Sequence, residues 1–135
     1  MQNLDKIKYW ARECGKEFPI NEDIFYSQTE QLEIAGILNV YELEDLKGVV
    51  AWIIAPDFKG NVSVCEMLLY VKPEHRKNPK NFITLLRVLE READRLSCEL
   101  RISSAFDYRG NIMLELLIRR GYIIDTVRRK KNGSN

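Results

Sequence analysis

Three patterns in this sequence predict an α/β fold of the α+β kind, a mixed and mostly antiparallel central sheet with helices on both faces. Residues 48–55, GVVAWIIA, form a continuous apolar run with β-branched and aromatic content, the composition of a strand buried on both sides. Residues 62–71 form a second strand, which stops before Pro73 because proline cannot donate to a ladder. Residues 79–97 then place Phe82, Leu85, Leu86, Leu89, Ala93 and Leu96 on one stripe and charged residues on the other, a strongly amphipathic helix.

The remaining elements follow in chain order. Leu4, Ile7, Trp10 and Ala11 recur at helical spacing and predict a helix over 3–14 that stops near Gly15. Residues 18–27 mix a proline, acids and aromatics without a clear period, and a short helix is expected over 29–35. An imperfect alternation over 38–44 predicts a strand before a turn at Lys47-Gly48. Residues 56–61 carry turn chemistry, with Gly60-Asn61 closing a hairpin. Asn78 suits the N-cap of the 79–97 helix and Pro79 its first position, where a missing N–H costs nothing. A strand over 100–106, a helix over 111–120 stopped by Gly121, and a strand over 122–127 complete the reading. The strand–helix–strand unit through 79–97 is expected to be parallel and right-handed.

At 135 residues the chain is expected to form one domain, with 1–37 as a helical substrate region and 128–135 as a basic tail. A net charge of +1 supplies no general attraction to nucleic acid, and a nucleic-acid accessory using Arg128 to Lys131 is the weakest reading. No apolar stretch spans a bilayer, and no membrane association is expected. Three widely spaced cysteines and a single histidine, His75, exclude a zinc pattern and suggest a reduced, cytoplasmic protein. Exposed aromatics in 1–37 leave a homodimer open.

The segment running from 65 to 90 is where chemistry concentrates. A strand feeds a loop containing Arg76, Lys77, Asn78, Lys80 and Asn81, and the loop opens a helix whose first N–H groups lack intrahelical partners. That is an anion site in outline. Strict alternation places Glu66 with Val62, Val64, Leu68 and Tyr70, an apolar face that raises a carboxyl pKa toward the range of a general base. A structural carboxylate paired with a neighbouring cation is the equal alternative. His75 reads as a surface imidazole and Trp52 as core.

Val71, Pro73, Glu74 and Arg76, followed by Leu85 and Leu86, resemble the V-x-P-E-x-R-x-x-G-x-G segment of the GNAT superfamily of N-acyltransferases and its leucine-rich helix. Asn111 through Gly121-Tyr122 resembles a later segment of the same family. The resemblance implies acetyl-CoA as co-substrate and direct transfer of its acetyl group to a primary amine, on a small molecule or a protein. It also implies pairing of the Leu69, Tyr70 and Val71 backbone with the pantetheine arm, and a bulge there that leaves one N–H free to polarise the thioester carbonyl. Phosphate contacts from the Arg76–Asn81 loop, an acidic base at Glu66, and a cofactor contact from Asn111 follow from it too, with capping of its own helix as the alternative for Asn111. Two departures stand out. Asn78, Pro79, Lys80 and Asn81 occupy positions where the family carries glycines, and Leu117 stands where many members carry an acid-catalytic tyrosine, for which Tyr108 is the nearest substitute. A non-catalytic protein of the same fold is the rival reading.

Overall fold

Alternation, bulge and turn chemistry together build a four-stranded sheet in the computed structural model, which describes residues 2–103 and 111–123. The chain divides into two compact units, Met1–Ser104 and Ala105–Asn135. In the first unit the elements are α1 (Gln2–Gly15), α2 (Glu22–Ile34), β1 (Asn39–Glu42), β2 (Gly48–Pro56), β3 (Val62–Val71), α3 (Pro79–Leu96) and β4 (Glu99–Arg101). Strand order is β1-β2-β3-β4, antiparallel except for the parallel β3–β4 pair across the α3 crossover. The mixed, mostly antiparallel sheet is as expected, and so are β3 and α3 almost to the residue. In the second unit, α4 (Asn111–Arg119) is followed by Gly121 at φ 92, a left-handed stop that glycine takes without strain. Of the strand expected over 100–106 the structure shows Glu99–Arg101, while Ile102 and Ser103 are not strand and 104–106 lie outside the described residues. Of that expected over 122–127, Tyr122 and Ile123 are not strand and 124–127 lie outside the described residues.

Side chains directly opposite one another on antiparallel strands share a face. Val49, Ala51, Leu68 and Tyr70 form one apolar face with Ile7, Trp10 and Cys14 of α1 and with Leu38. Helix α3 covers the other face of β2 and β3, where Leu85, Leu86 and Leu89 are fully buried. At about 1.5–3 kcal/mol for each large apolar side chain buried, these two layers are the main source of stability in the unit. Gly48 belongs to the α3 face, and a Cβ there would lie 2.8 Å from the Tyr70 carbonyl oxygen and 3.2 Å from Leu85 Cδ1.

Two local features differ from expectation. Helix α2 begins at Glu22 rather than at 29, because the Asn21 side chain accepts the Ile24 N–H at 3.1 Å and Glu22 and Asp23 follow in the first turn. The apolar period over 18–27 is poor, so this cap was the available signal. The loop before β2 contains a short 3-10 turn, Glu44–Leu46, with Asp45 and Leu46 at positive φ. The β2–β3 turn conforms to its chemistry: Asp57 Oδ1 accepts the Lys59 and Asn61 N–H groups, and Gly60 takes φ 81. Among the described residues no helix is long and apolar enough to cross a membrane.

Candidate active site

The pairing of β2 with β3 slips by one residue in mid-strand. Ala51 faces Leu68, but Trp52 faces Glu66, so Met67 is an extra residue on β3. Such a bulge bends the strand and reverses the alternation across it. Glu66 therefore shares a face with Val62 and Val64 but not with Leu68 and Tyr70, which turn toward α1. This corrects the strict alternation drawn from sequence: the bulge moves Glu66 to the α3 face, beside Trp52.

Glu66 is 5% exposed, and its Oε1 accepts the Ser103 N–H at 2.9 Å. Across the ladder, Trp52 is 8% exposed and its indole Nε1 has no hydrogen-bond partner among the described residues. A buried donor without a partner beside a buried carboxylate is a polar spot within an apolar face. Groups of this kind are ordinarily satisfied by water or ligand. Sequence reasoning assigned Trp52 to the core and missed this spot, because a bulge decides which strand residues meet and leaves no periodic signal. The described β3–β4 ladder runs only from Ser63–Glu99 to Cys65–Arg101, ending immediately before Glu66 and the bulge.

Beyond the bulge, Leu69, Tyr70 and Val71 continue β3 in register with β2. Tyr70 turns its ring toward α1, edge-on to Trp10 and Phe18 at centroid distances of 6.2 and 6.5 Å. Its hydroxyl pKa is pushed up to about 12, first by burial and then by the negative charge of Glu17.

The loop after β3 is already rich in internal contacts. Arg76 donates through Nε to the Val71 carbonyl at 2.8 Å, forks onto both Glu17 oxygens, and lies 5.3 Å from the centre of the Tyr70 ring. Its guanidinium thus ties the end of α1 to β3, and it reaches a phosphate only in competition with Glu17. Glu17 is the second residue that sequence reasoning missed, since 59 positions separate it from Arg76. Asn78 caps α3 as expected, its side chain accepting the Lys80 N–H at 3.0 Å, while the Asn81 N–H bonds the Asn78 carbonyl at 3.3 Å. Asn81 Nδ2 donates to the His75 carbonyl at 2.9 Å. With Pro79 lacking an N–H, the donors expected to meet an anion are largely satisfied by Asn78 itself. Lys77 and Lys80 are exposed.

A neighbouring cluster lies on the α1 side. Lys72 Nζ donates to the Tyr9 hydroxyl, approaches Glu13 Oε1 at 3.6 Å, and lies over the Tyr9 and Trp10 rings at 5.1 and 5.6 Å. Trp10 Nε1 donates to Glu42 Oε2 at 2.7 Å. These contacts raise the Lys72 pKa, chiefly through the Tyr9 hydrogen bond, and Glu13 is lowered, chiefly by the hydrogen bond from Lys16.

The structure therefore brings Glu66, Trp52 and the Met67 bulge together, and carries β3 directly into the Arg76–Asn81 loop at the start of α3. Asn111 opens α4 in the second unit. Tyr108 lies outside the described residues. Among the described residues no group of acids, histidines and cysteines is arranged to hold a metal ion.

No protein-family model matches the sequence, and neither does any curated relative. Solved structures do match. The ribosomal-protein-alanine N-acetyltransferase from Brucella melitensis biovar Abortus 2308 is 16% identical with a TM-score of 0.64, over 96% of this chain and 94% of that one. Glucosamine-6-phosphate N-acetyltransferase from Arabidopsis thaliana is 13% identical with a TM-score of 0.65, over 96% and 92%. AAC(6')-Iy, in complex with the bisubstrate analogue CoA-S-monomethyl-acetylneamine, is 15% identical with a TM-score of 0.67, over 93% and 91%. At such identities the likeness carries the architecture alone, and it does so over nearly the whole length of each chain: this protein has the GNAT acetyltransferase fold.

Proposed function

We propose that this protein is an acyl-CoA-dependent N-acyltransferase that moves an acetyl group from acetyl-CoA to a primary amine by direct transfer. The observation that carries this reading is the Met67 bulge, which sets the Glu66 carboxylate beside the Trp52 indole, unpartnered among the described residues, just before β3 enters a basic loop. Acetyl-CoA, when bound, supplies an activated thioester carbonyl. Glu66 takes the proton that the attacking amine loses, directly or through water, and the Ser103 N–H holds its Oε1 in place meanwhile. Trp52 Nε1 supplies a donor for an oxygen or water in the same spot. The β3 backbone at Leu69, Tyr70 and Val71 is the candidate edge for the pantetheine arm. Lys77 and Lys80, with Asn78 and Asn81, are the candidate phosphate contacts, and Arg76 joins them by exchanging Glu17 for a phosphate; Asn111 is a candidate cofactor contact on the family resemblance. Tyr108 is the candidate acid for the departing thiolate.

The fit to the cofactor is mixed at the loop, and two contacts there favour a second reading. Asn78 and Pro79 close the α3 N-terminus against an anion, and Glu17 occupies Arg76. A GNAT-fold protein that binds a partner and has lost cofactor chemistry accounts for both contacts.

Calorimetry with acetyl-CoA separates the two readings. Binding that Arg76→Ala with Lys80→Ala weakens supports the enzyme. Transfer to a panel of amines should then fall about a hundredfold or more in Glu66→Gln, whose amide oxygen still accepts the Ser103 N–H. No binding at millimolar acetyl-CoA overturns the enzymatic reading in favour of the second.

A further inference from the structure

Two adjoining recesses lie at the hairpin end of the sheet, roughly 26 Å along β3 from its junction with the basic loop, taking ~3.3 Å per residue. The smaller, about 360 Å³, is lined by Ala55, Pro56, Asp57, Phe58, Ser63, Cys65 and Arg101. The larger, about 730 Å³, shares Asp57, Phe58 and Arg101 and extends to Cys98 and Glu99. Register brings the lining residues together. Ser63 pairs with Ala55 on one side and Glu99 on the other, while Cys65 pairs with Ile53 and Arg101. Paired residues share a sheet face, so Ala55, Ser63, Cys65 and Arg101 lie on one face.

The lining is chemically specific. Ser63 is 2% exposed, and its hydroxyl has no hydrogen-bond partner among the described residues. Arg101 is about half exposed, and its described partner is Glu99 at 3.4 Å, a loose contact between two surface side chains. Asp57 opposes an anion by charge, but its Oδ1 is taken by two backbone N–H groups of the turn. The Phe58 ring stands fully exposed at the hairpin tip, next to the apolar surface of Ala55 and Pro56. A buried hydroxyl without a partner, a loosely held guanidinium and an uncovered aromatic wall converge on one cavity.

We propose that this recess is a second binding site, distinct from the candidate active site, for a small carboxylate with an apolar body. The carboxylate pairs with the Arg101 guanidinium and accepts the Ser63 hydroxyl, and the apolar body lies against Phe58, Ala55 and Pro56. The site does not depend on the transferase reading, since none of its residues belongs to that machinery.

The test is a titration of the ¹⁵N-labelled full chain with phenylacetate, followed by NMR, with phenylacetamide as the uncharged match. Phenylacetate is expected to shift the amide signals of Phe58, Ser63, Cys65 and Arg101 in a saturable way, and phenylacetamide to bind at least tenfold more weakly. Arg101→Gln, a surface change, should weaken phenylacetate about tenfold or more, the effect of losing a charge-assisted hydrogen bond, and Ser63→Ala several-fold. Shifts that cluster elsewhere, equal binding of acid and amide, or unchanged affinity in Arg101→Gln overturn the proposal.

Discussion

Single residues in this protein draw their roles from what stands across the sheet from them. Glu66 gains a donor at Ser103 and a neighbour at Trp52 only because Met67 is inserted between Glu66 and Leu68. Its identity as the candidate carboxylate was legible, since an acid in an apolar strand is conspicuous. Its face was not, because one extra residue reverses the alternation. Gly48 shows the same dependence in a simpler form. Its place after Lys47 predicts a turn residue, whereas the close approach of the Tyr70 carbonyl and the Leu85 side chain leaves no room for a methyl group. Gly48→Ala is expected to destabilise the protein by about 1–3 kcal/mol, since backbone on one side and a buried leucine on the other must shift. Urea denaturation compared with wild type checks this, and an unchanged midpoint would mean the β2–β3 pair gives way without strain.

Among the elements, α3 contrasts most sharply in what its two parts reveal. Its body was legible because five of the six stripe residues are buried and the charged positions face outward. Its N-terminus was legible as a cap, yet the consequence of the cap emerges only in three dimensions. The Asn78 side chain satisfies the Lys80 N–H, which an anion would otherwise take. Replacing Asn78 by alanine should cost about 1 kcal/mol of stability, and by glycine only a few tenths. If the loop binds phosphate, Asn78→Gly should bind acetyl-CoA more tightly than wild type in the same calorimetric assay. Unchanged affinity would place the phosphates away from the α3 N-terminus. The Arg76–Glu17 pair belongs to this scale as well, because it joins the end of α1 to the end of β3 and gives the basic loop a structural task.

For the molecule as a whole, titration should weaken folding at both extremes of pH. Glu13 is held below 4.5 by the Lys16 hydrogen bond and nearby positive charge, so its contribution is present above that value and is lost as pH falls through the depressed pKa. Lys72 is raised above 10.5, and Tyr70 is raised from 10.0 to about 12. Both contributions are complete below the unfolded values and disappear as pH rises through the folded ones. The Tyr70 shift removes stability as pH rises from about 10 to about 12. Thermal melts followed by circular dichroism should show this alkaline loss in wild type, and Tyr70→Phe should flatten it. An equal alkaline decline in Tyr70→Phe would assign the loss to other groups.

By itself the sequence determined most of the described elements of this protein and the placing of helices on both faces of its sheet. Hydrophobic period, caps and turn residues act locally, so a strand buried on both faces, an amphipathic helix and the Gly60-Asn61 turn each declare themselves within a few residues. The family likeness was legible for the same reason, through a strand-to-loop-to-helix segment contiguous in the chain. Tertiary structure alone decided which side chains meet. The bulge that turns Glu66 to Trp52, the pairing of Glu17 with Arg76, and the recess that joins Ser63 to Arg101 all link residues from different parts of the chain. Those meetings depend on register and on long-range closure, and neither leaves a periodic trace in one dimension.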